Sequence, residues 1–149
     1  MKPLCVVSCP IDTFSGYGAR SRDFMKALIQ SKDKEWDIKI MPQKWGDTPW
    51  NFLSQDDPLR QRFIGGLEKQ PEIWIQITVP NEFQPVGQFN IGISAGIETT
   101  VYPGEFIQGS NNMHLNLVSS EHSKNTALQT QFEKRDKNTD QVQGIVKLE

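Results

Sequence analysis

Cysteine and histidine are scarce in this sequence. Cys5 and Cys9 are its two cysteines, and its two histidines, His114 and His122, lie far from them. The usual Cys/His ligand spacing is therefore missing, and so is any disulfide framework. Long apolar runs are missing as well. No stretch of about 18 apolar residues occurs, so no membrane-spanning helix is expected. The run Leu4-Cys5-Val6-Val7 breaks at Ser8 and Pro10, too soon for the apolar core of a signal peptide. Both thiols are accordingly expected to be reduced, in a cytoplasmic protein. Cys5 reads as a small core residue, and a redox role for Cys9 is the weaker alternative. Neither sign of charge dominates: 16 basic residues oppose 18 acidic ones, a net charge of −2. Nothing in that balance draws nucleic acid or an anionic membrane. Internal repeats, an Asp-x-Asp pair, a Ser-His-Asp set and the Gly-Lys-Ser/Thr of a phosphate-binding P-loop are absent too.

What is present fits one globular domain. The 149 residues are 36% hydrophobic and 23% charged, enough to bury a core without metal or disulfides. Strands are expected at Leu4–Ser8, Trp36–Met41, Ile73–Val79, Phe89–Ala95 and Leu115–Ser119, each apolar or alternating. Phe24, Ala27 and Leu28 share one helical face, which predicts a helix over Ala19–Gln30. Asp57 and Pro58 read as cap and first residue of a helix running to about Gly65. A short helix is expected within Pro103–Asn112. Another follows Ser119 or Ser120 and continues to about Phe132. Segments 132–135 and 142–148 flank the turn-prone Lys137-Asn138-Thr139-Asp140 and read as a polar hairpin. The alternation implies an α/β fold: a Rossmann-like parallel sheet with helices on both faces, plus a C-terminal β-hairpin. The domain itself is expected over residues 1–132, with 133–149 as hairpin and tail. Such sheets bind ligands at the carboxyl ends of their strands, here the loops after Ser8, Val79, Ala95 and Ser119.

Ser15-Gly16-Tyr17-Gly18, opening a helix, carries the sharpest chemical signal. Glycines there free backbone N–H groups, and a helix N-terminus adds partial positive charge, which together suit a phosphate. A tight strand-to-helix turn is the equal alternative. Arg20 and Arg22 sit in the first turns against the helix dipole, serving either an anionic ligand or a solvated face. A dinucleotide fingerprint fits poorly. Gly16, Gly18 and Ser21 supply two glycines of three, the loop from Ser8 is too long, and Asp37 sits at the wrong end of its strand.

Glu98, Thr99 and Thr100 follow the fourth strand. Glu98 is placed to bind sugar hydroxyls or act as a general base, and the threonines to donate to sugar or phosphate oxygens. A cap or loop network is the plainer reading. Ser119, Ser120, His122 and Lys124 open the last helix, where serines are most often caps and a lysine often faces water. Asn81, after the third strand, is either a ligand contact or part of a turn. In the loop Trp45–Phe52, aromatics beside polar groups suit sugar stacking, yet pinning of the loop is expected for at least one of Trp45 and Trp50.

Four segments, in order, resemble the N-terminal half of a retaining GT-B glycosyltransferase of the group 1/4-like, nucleotide-sugar-dependent branch. Ser15-Gly16-Tyr17-Gly18 resembles its glycine-rich first loop, and Pro71-Glu72-Ile73-Trp74-Ile75-Gln76 its Pro-Asp-hydrophobic third strand. Ile93-Ser94-Ala95-Gly96-Ile97-Glu98-Thr99-Thr100 occupies the place of the strand and loop that bear a site residue. Leu117-Val118-Ser119-Ser120-Glu121-His122-Ser123-Lys124 resembles its strand followed by Ser-x-x-Ser-Lys.

The resemblance implies two Rossmann-like domains facing across a cleft, with the N-terminal one mainly binding the acceptor. Gly16 and Gly18 would approach the donor's phosphates and sugar. Glu98 would stand where many members carry a histidine or acidic residue beside the donor sugar, and would be the catalytic residue. The expected ligands are a nucleotide-sugar donor and a sugar or other hydroxyl acceptor, with no metal and no separate cofactor. The donor-binding domain with its paired glutamates has no counterpart here. The chain is therefore expected to transfer sugar poorly alone, as a truncated chain or a half-enzyme needing a partner, and to present an exposed apolar face where a second domain would dock. A non-enzymatic Rossmann-like interaction or ligand-binding module is the alternative. A nucleotide-binding oxidoreductase fragment ranks below both.

Overall fold

The computed structural model describes all 149 residues. Its centre is a five-stranded parallel sheet built from β1 (Leu4–Cys9), β2 (Asp37–Pro42), β3 (Ile73–Ile77), β4 (Phe89–Ile93) and β5 (Leu115–Leu117), in the order β2-β1-β3-β4-β5. The helices are α1 (Gly16–Lys32), α2 (Gly104–Ser110) and α3 (Glu121–Gln129). A separate antiparallel hairpin, β6 (Gln131–Arg135) and β7 (Val142–Lys147), closes the chain. The α/β, Rossmann-like arrangement expected from the alternation is what the chain forms. No helix is long and apolar enough to cross a membrane.

The β-branched runs explain the strands' burial. Cys5, Val7 and Cys9 alternate onto the face that meets α1, where Ile38, Ile40, Ile75, Ile77 and Met25 join them in the main core. Each such aliphatic residue contributes about 1.5–3 kcal/mol by leaving water. The opposite face of β1 and β3 presents Val6 and Trp74, covered by Phe83 and Met113. Phe83 comes from the chain between β3 and β4, against which α2 packs, and Met113 from the connection between α2 and β5.

Several boundaries differ from expectation. α1 starts at Gly16, three residues before Ala19, because the Ser15 hydroxyl accepts from the Gly18 N–H at 2.9 Å and caps it there. The helix expected over residues 57–65 is only a 3-10 turn, Pro58–Arg62. Asp57 does cap it, accepting from the Leu59 N–H, but Phe63 turns extended and bridges Ile40 in parallel, a one-rung extension of the sheet beyond β2. α3 stops at Gln129 rather than Phe132. Thr130 turns extended while its hydroxyl bonds back to the Thr126 carbonyl at 2.7 Å, and Phe132 joins the hairpin instead. The hairpin is tied to the domain, since Asn111 donates to the Lys147 carbonyl at 2.8 Å and Val146 and Leu148 pack beside Ile107.

Candidate functional site at the carboxyl ends of the strands

Strand order reverses between β1 and β3, the position at which doubly wound sheets typically bind their ligands. On the β1 side, the loop Pro10–Ser15 is bound tightly. The Thr13 hydroxyl donates to the Pro10 carbonyl at 2.8 Å and pairs with the Ser15 hydroxyl at 2.8 Å. Arg22 is buried and donates to the carbonyls of Ile11 and Thr13, both at 2.9 Å. It serves neither an anion nor a solvated face; its guanidinium holds the loop. Gly18 is buried where any Cβ would strike the Thr13 carbonyl, and its N–H is already taken by Ser15. Gly18 thus permits close packing, and the N–H groups of Gly16 and Tyr17 are left as first-turn donors with no protein acceptor. Arg20 is half-buried and forms no ion pair.

Tyr17 joins this loop to the next. Its hydroxyl accepts from the Ala95 N–H at 3.0 Å, and its ring stacks on Trp45 at 4.3 Å between centroids, which pins Trp45 as expected. The Ser119 hydroxyl donates to the Ala95 carbonyl. Ser123 accepts from the Ile97 N–H at 3.1 Å and donates to the Ile97 carbonyl at 3.2 Å. Gly96 has φ of 85°, and a Cβ there would enter Ser123, so this stitch requires glycine. His122 Nε2 lies 3.0 Å from the Thr99 carbonyl, a contact that needs the proton on that nitrogen. Three sequence-distant segments, at residues 15–18, 94–99 and 119–123, form one hydrogen-bonded rim.

The remaining candidates fall around the rim. Glu98 and Thr100 are exposed and unpaired, and the Thr99 hydroxyl donates to the Val101 carbonyl at 3.1 Å. Ser120 caps α3 by accepting from the Ser123 N–H at 3.1 Å. Lys124 instead lines a cavity of about 430 Å³ with Leu115, Leu117 and Leu128, between β5 and α3. Asn81 is exposed on a 3-10 turn, Pro80–Glu82, that follows β3.

Some residues of this region gave little signal in the sequence. Gln43 donates to the Ile77 carbonyl at 2.9 Å and accepts from the Ser8 hydroxyl at 3.2 Å, bracing the ends of β1 and β3. Tyr102 is buried. Burial raises its phenol pKa, and a hydrogen bond from Ser94 partly offsets this. Asp12 is buried, accepts from the Leu53 N–H at 2.9 Å and pairs with Arg60 at 3.0 Å. A Gly-x-Gly spacing is visible in a string of letters; these long-range polar ties are not. Cys9 is fully buried and its thiol is pushed up to about 12, so it stays protonated at neutral pH and the redox alternative loses its footing.

No protein-family model, no curated protein and no solved structure matches the chain.

Proposed function

We propose that this chain is the acceptor-side domain of a retaining, nucleotide-sugar-dependent glycosyltransferase of GT-B type, incomplete without a donor-binding domain. The observation that carries this reading is the Tyr17–Ala95 hydrogen bond at 3.0 Å. It closes the glycine-rich turn against the loop bearing Glu98, at the carboxyl ends of the strands. The free N–H groups of Gly16 and Tyr17, at the positive end of α1, are the donors for a donor phosphate. Glu98 and Thr100, exposed on the second loop, are the acceptor and donor groups for sugar hydroxyls. Glu98 carries the catalytic role in this reading. Transfer itself requires the second domain, because one wall of a cleft neither excludes water nor orients both substrates. Calorimetric titration with UDP- and GDP-sugars tests the proposal: weak, millimolar binding is expected, and Gly16→Pro should weaken it. Absence of binding by every nucleotide-sugar at millimolar concentration would count against it.

One observation favours a second reading, a non-enzymatic interaction module. Leu115 and Leu117 pair in register with Ile91 and Ile93 on the α1 face of the sheet, yet are 43% and 41% exposed. Parallel sheets are ordinarily covered on both faces. Self-association or protein capture through this face, with no affinity for any sugar compound, would favour the module over the transferase.

A further inference from the structure

Two loops beside the glycine-rich turn hold exposed aromatic rings on a hydrogen-bonded frame. Phe14 is 53% exposed, Phe52 45% and Trp50 38%. Phe14 and Phe52 meet edge to face with centroids 5.0 Å apart. Their backbones are laced together: the Phe14 N–H donates to Pro49, and the Phe52 N–H to Asp12, both at 3.1 Å. Asn51 adopts φ of 65°, a left-handed turn that sets Trp50 and Phe52 on either side of it. Beneath Phe52 the buried Arg22 guanidinium lies 3.5 Å from the ring centroid. The Asp12–Arg60 ion pair, with side chains only 6% and 19% exposed, anchors the same junction. Burying charges is costly, and here buried charged groups fix the loops that present rings to water.

We infer that the exposed side of Phe14, with Phe52 set edge to face beside it and Trp50 adjoining, forms an aromatic platform for a pyranose ring of the acceptor. The inference rests on the transferase reading, and deepens it by naming the acceptor as a saccharide. Size supports this occupant. Three rings of roughly 150–250 Å² each, about half exposed, offer about 300 Å². A protein partner takes about 800 Å² from each side. Placement supports it as well: Phe14 precedes the free Gly16 N–H by two residues, so an apolar surface adjoins hydrogen-bond donors. A sugar ring presents the matching pair, a C–H face and a rim of hydroxyls. A fixed ring also spares the ligand the entropy of ordering it.

The test is a saccharide titration of the full chain, followed by aromatic-proton NMR, with methyl glucoside, methyl mannoside, maltose and lactose. UDP-glucose and GDP-mannose are run alongside. At least one saccharide is expected to shift the Phe14 and Phe52 resonances. Phe14→Ala should weaken that binding about fivefold to tenfold, Phe14→Trp should retain it, and nucleotide-sugar binding should persist in both. Circular dichroism checks that each variant is folded. Saccharide binding that is unchanged in Phe14→Ala, or that shifts only other residues, overturns the platform. Nucleotide-sugar binding without saccharide binding overturns the platform and leaves the transferase reading standing. Binding of neither class overturns both.

Discussion

The two halves of the sheet are built to different standards. In β2, β1 and β3, the residues facing α1 are sealed: Val7, Ile38, Ile40 and Ile77 have no solvent exposure. In β4 and β5 the same face loses its cover. Ile93 is buried, Ile91 is half-buried, and Phe89, Leu115 and Leu117 are open to solvent. A cavity of about 210 Å³ between Leu28, Trp36, Ile73 and Ile91 marks where the cover ends. The first half therefore carries the stability of the domain. The second half holds two of the three segments of the candidate site, those after β4 and β5, and a face that a doubly wound fold would normally pack. Near their junction, Tyr17 from the sealed half bonds Ala95 from the open half.

Substitutions can break or sharpen this contrast. The largest effect is expected at the anchor of the sealed half. Asp12→Ala removes a buried carboxylate from Arg60 and from the Leu53 N–H, and should cost about 3–5 kcal/mol in urea unfolding. Ile75→Ala, in the sealed core, should cost about 2–5 kcal/mol, whereas Leu115→Ala on the open face should stay within about 0.5 kcal/mol. Equal losses at these two positions would erase the distinction between the halves. Ser15→Ala removes the α1 cap and should cost about 1 kcal/mol.

A smaller effect is expected with acid. The Leu4 N–H donates to Glu72 at 2.6 Å and holds its carboxyl below the usual range, with Lys69 at 3.3 Å assisting. A depressed carboxylate stabilises the fold above its unfolded pKa, and that contribution fades as pH falls through the lower folded value. Asp33, held down by Arg62 at 2.7 Å, behaves alike. Glu72→Gln should therefore lower stability slightly at neutral pH and flatten the loss as pH falls below the ordinary glutamate range, read as midpoint against pH.

The same contrast explains what could be read from the letters alone. The strands of the sealed half are apolar or alternating and rich in Val and Ile, and period and punctuation located them within a residue or two. Ser15, Gly16 and Gly18 were legible as a loop opening a helix, because cap and glycine chemistry is local. Their division of labour was not. Only the folded chain has Gly18 packing under Thr13, Ser15 capping, and Gly16 left free. Residues 57–65 misled because a good cap and a proline at the first helical position do not make a helix when the sheet edge offers Phe63 a partner at Ile40. Arg22 resembled a ligand arginine in sequence and became a loop anchor, since its carbonyl partners are 9 and 11 residues away. The rim joining Tyr17, Ala95, Ser119 and His122 spans most of the chain, and no local pattern encodes it.

The measurement that bears most directly on the central claim is a backbone-amide NMR titration with UDP-glucose and GDP-mannose. One of them is expected to shift Gly16, Tyr17 and the amides of residues 95–100 together, at millimolar concentration, and to leave Leu115 and Leu117 unmoved. No shift on the rim, or shifts confined to the open face of β4 and β5, would contradict it.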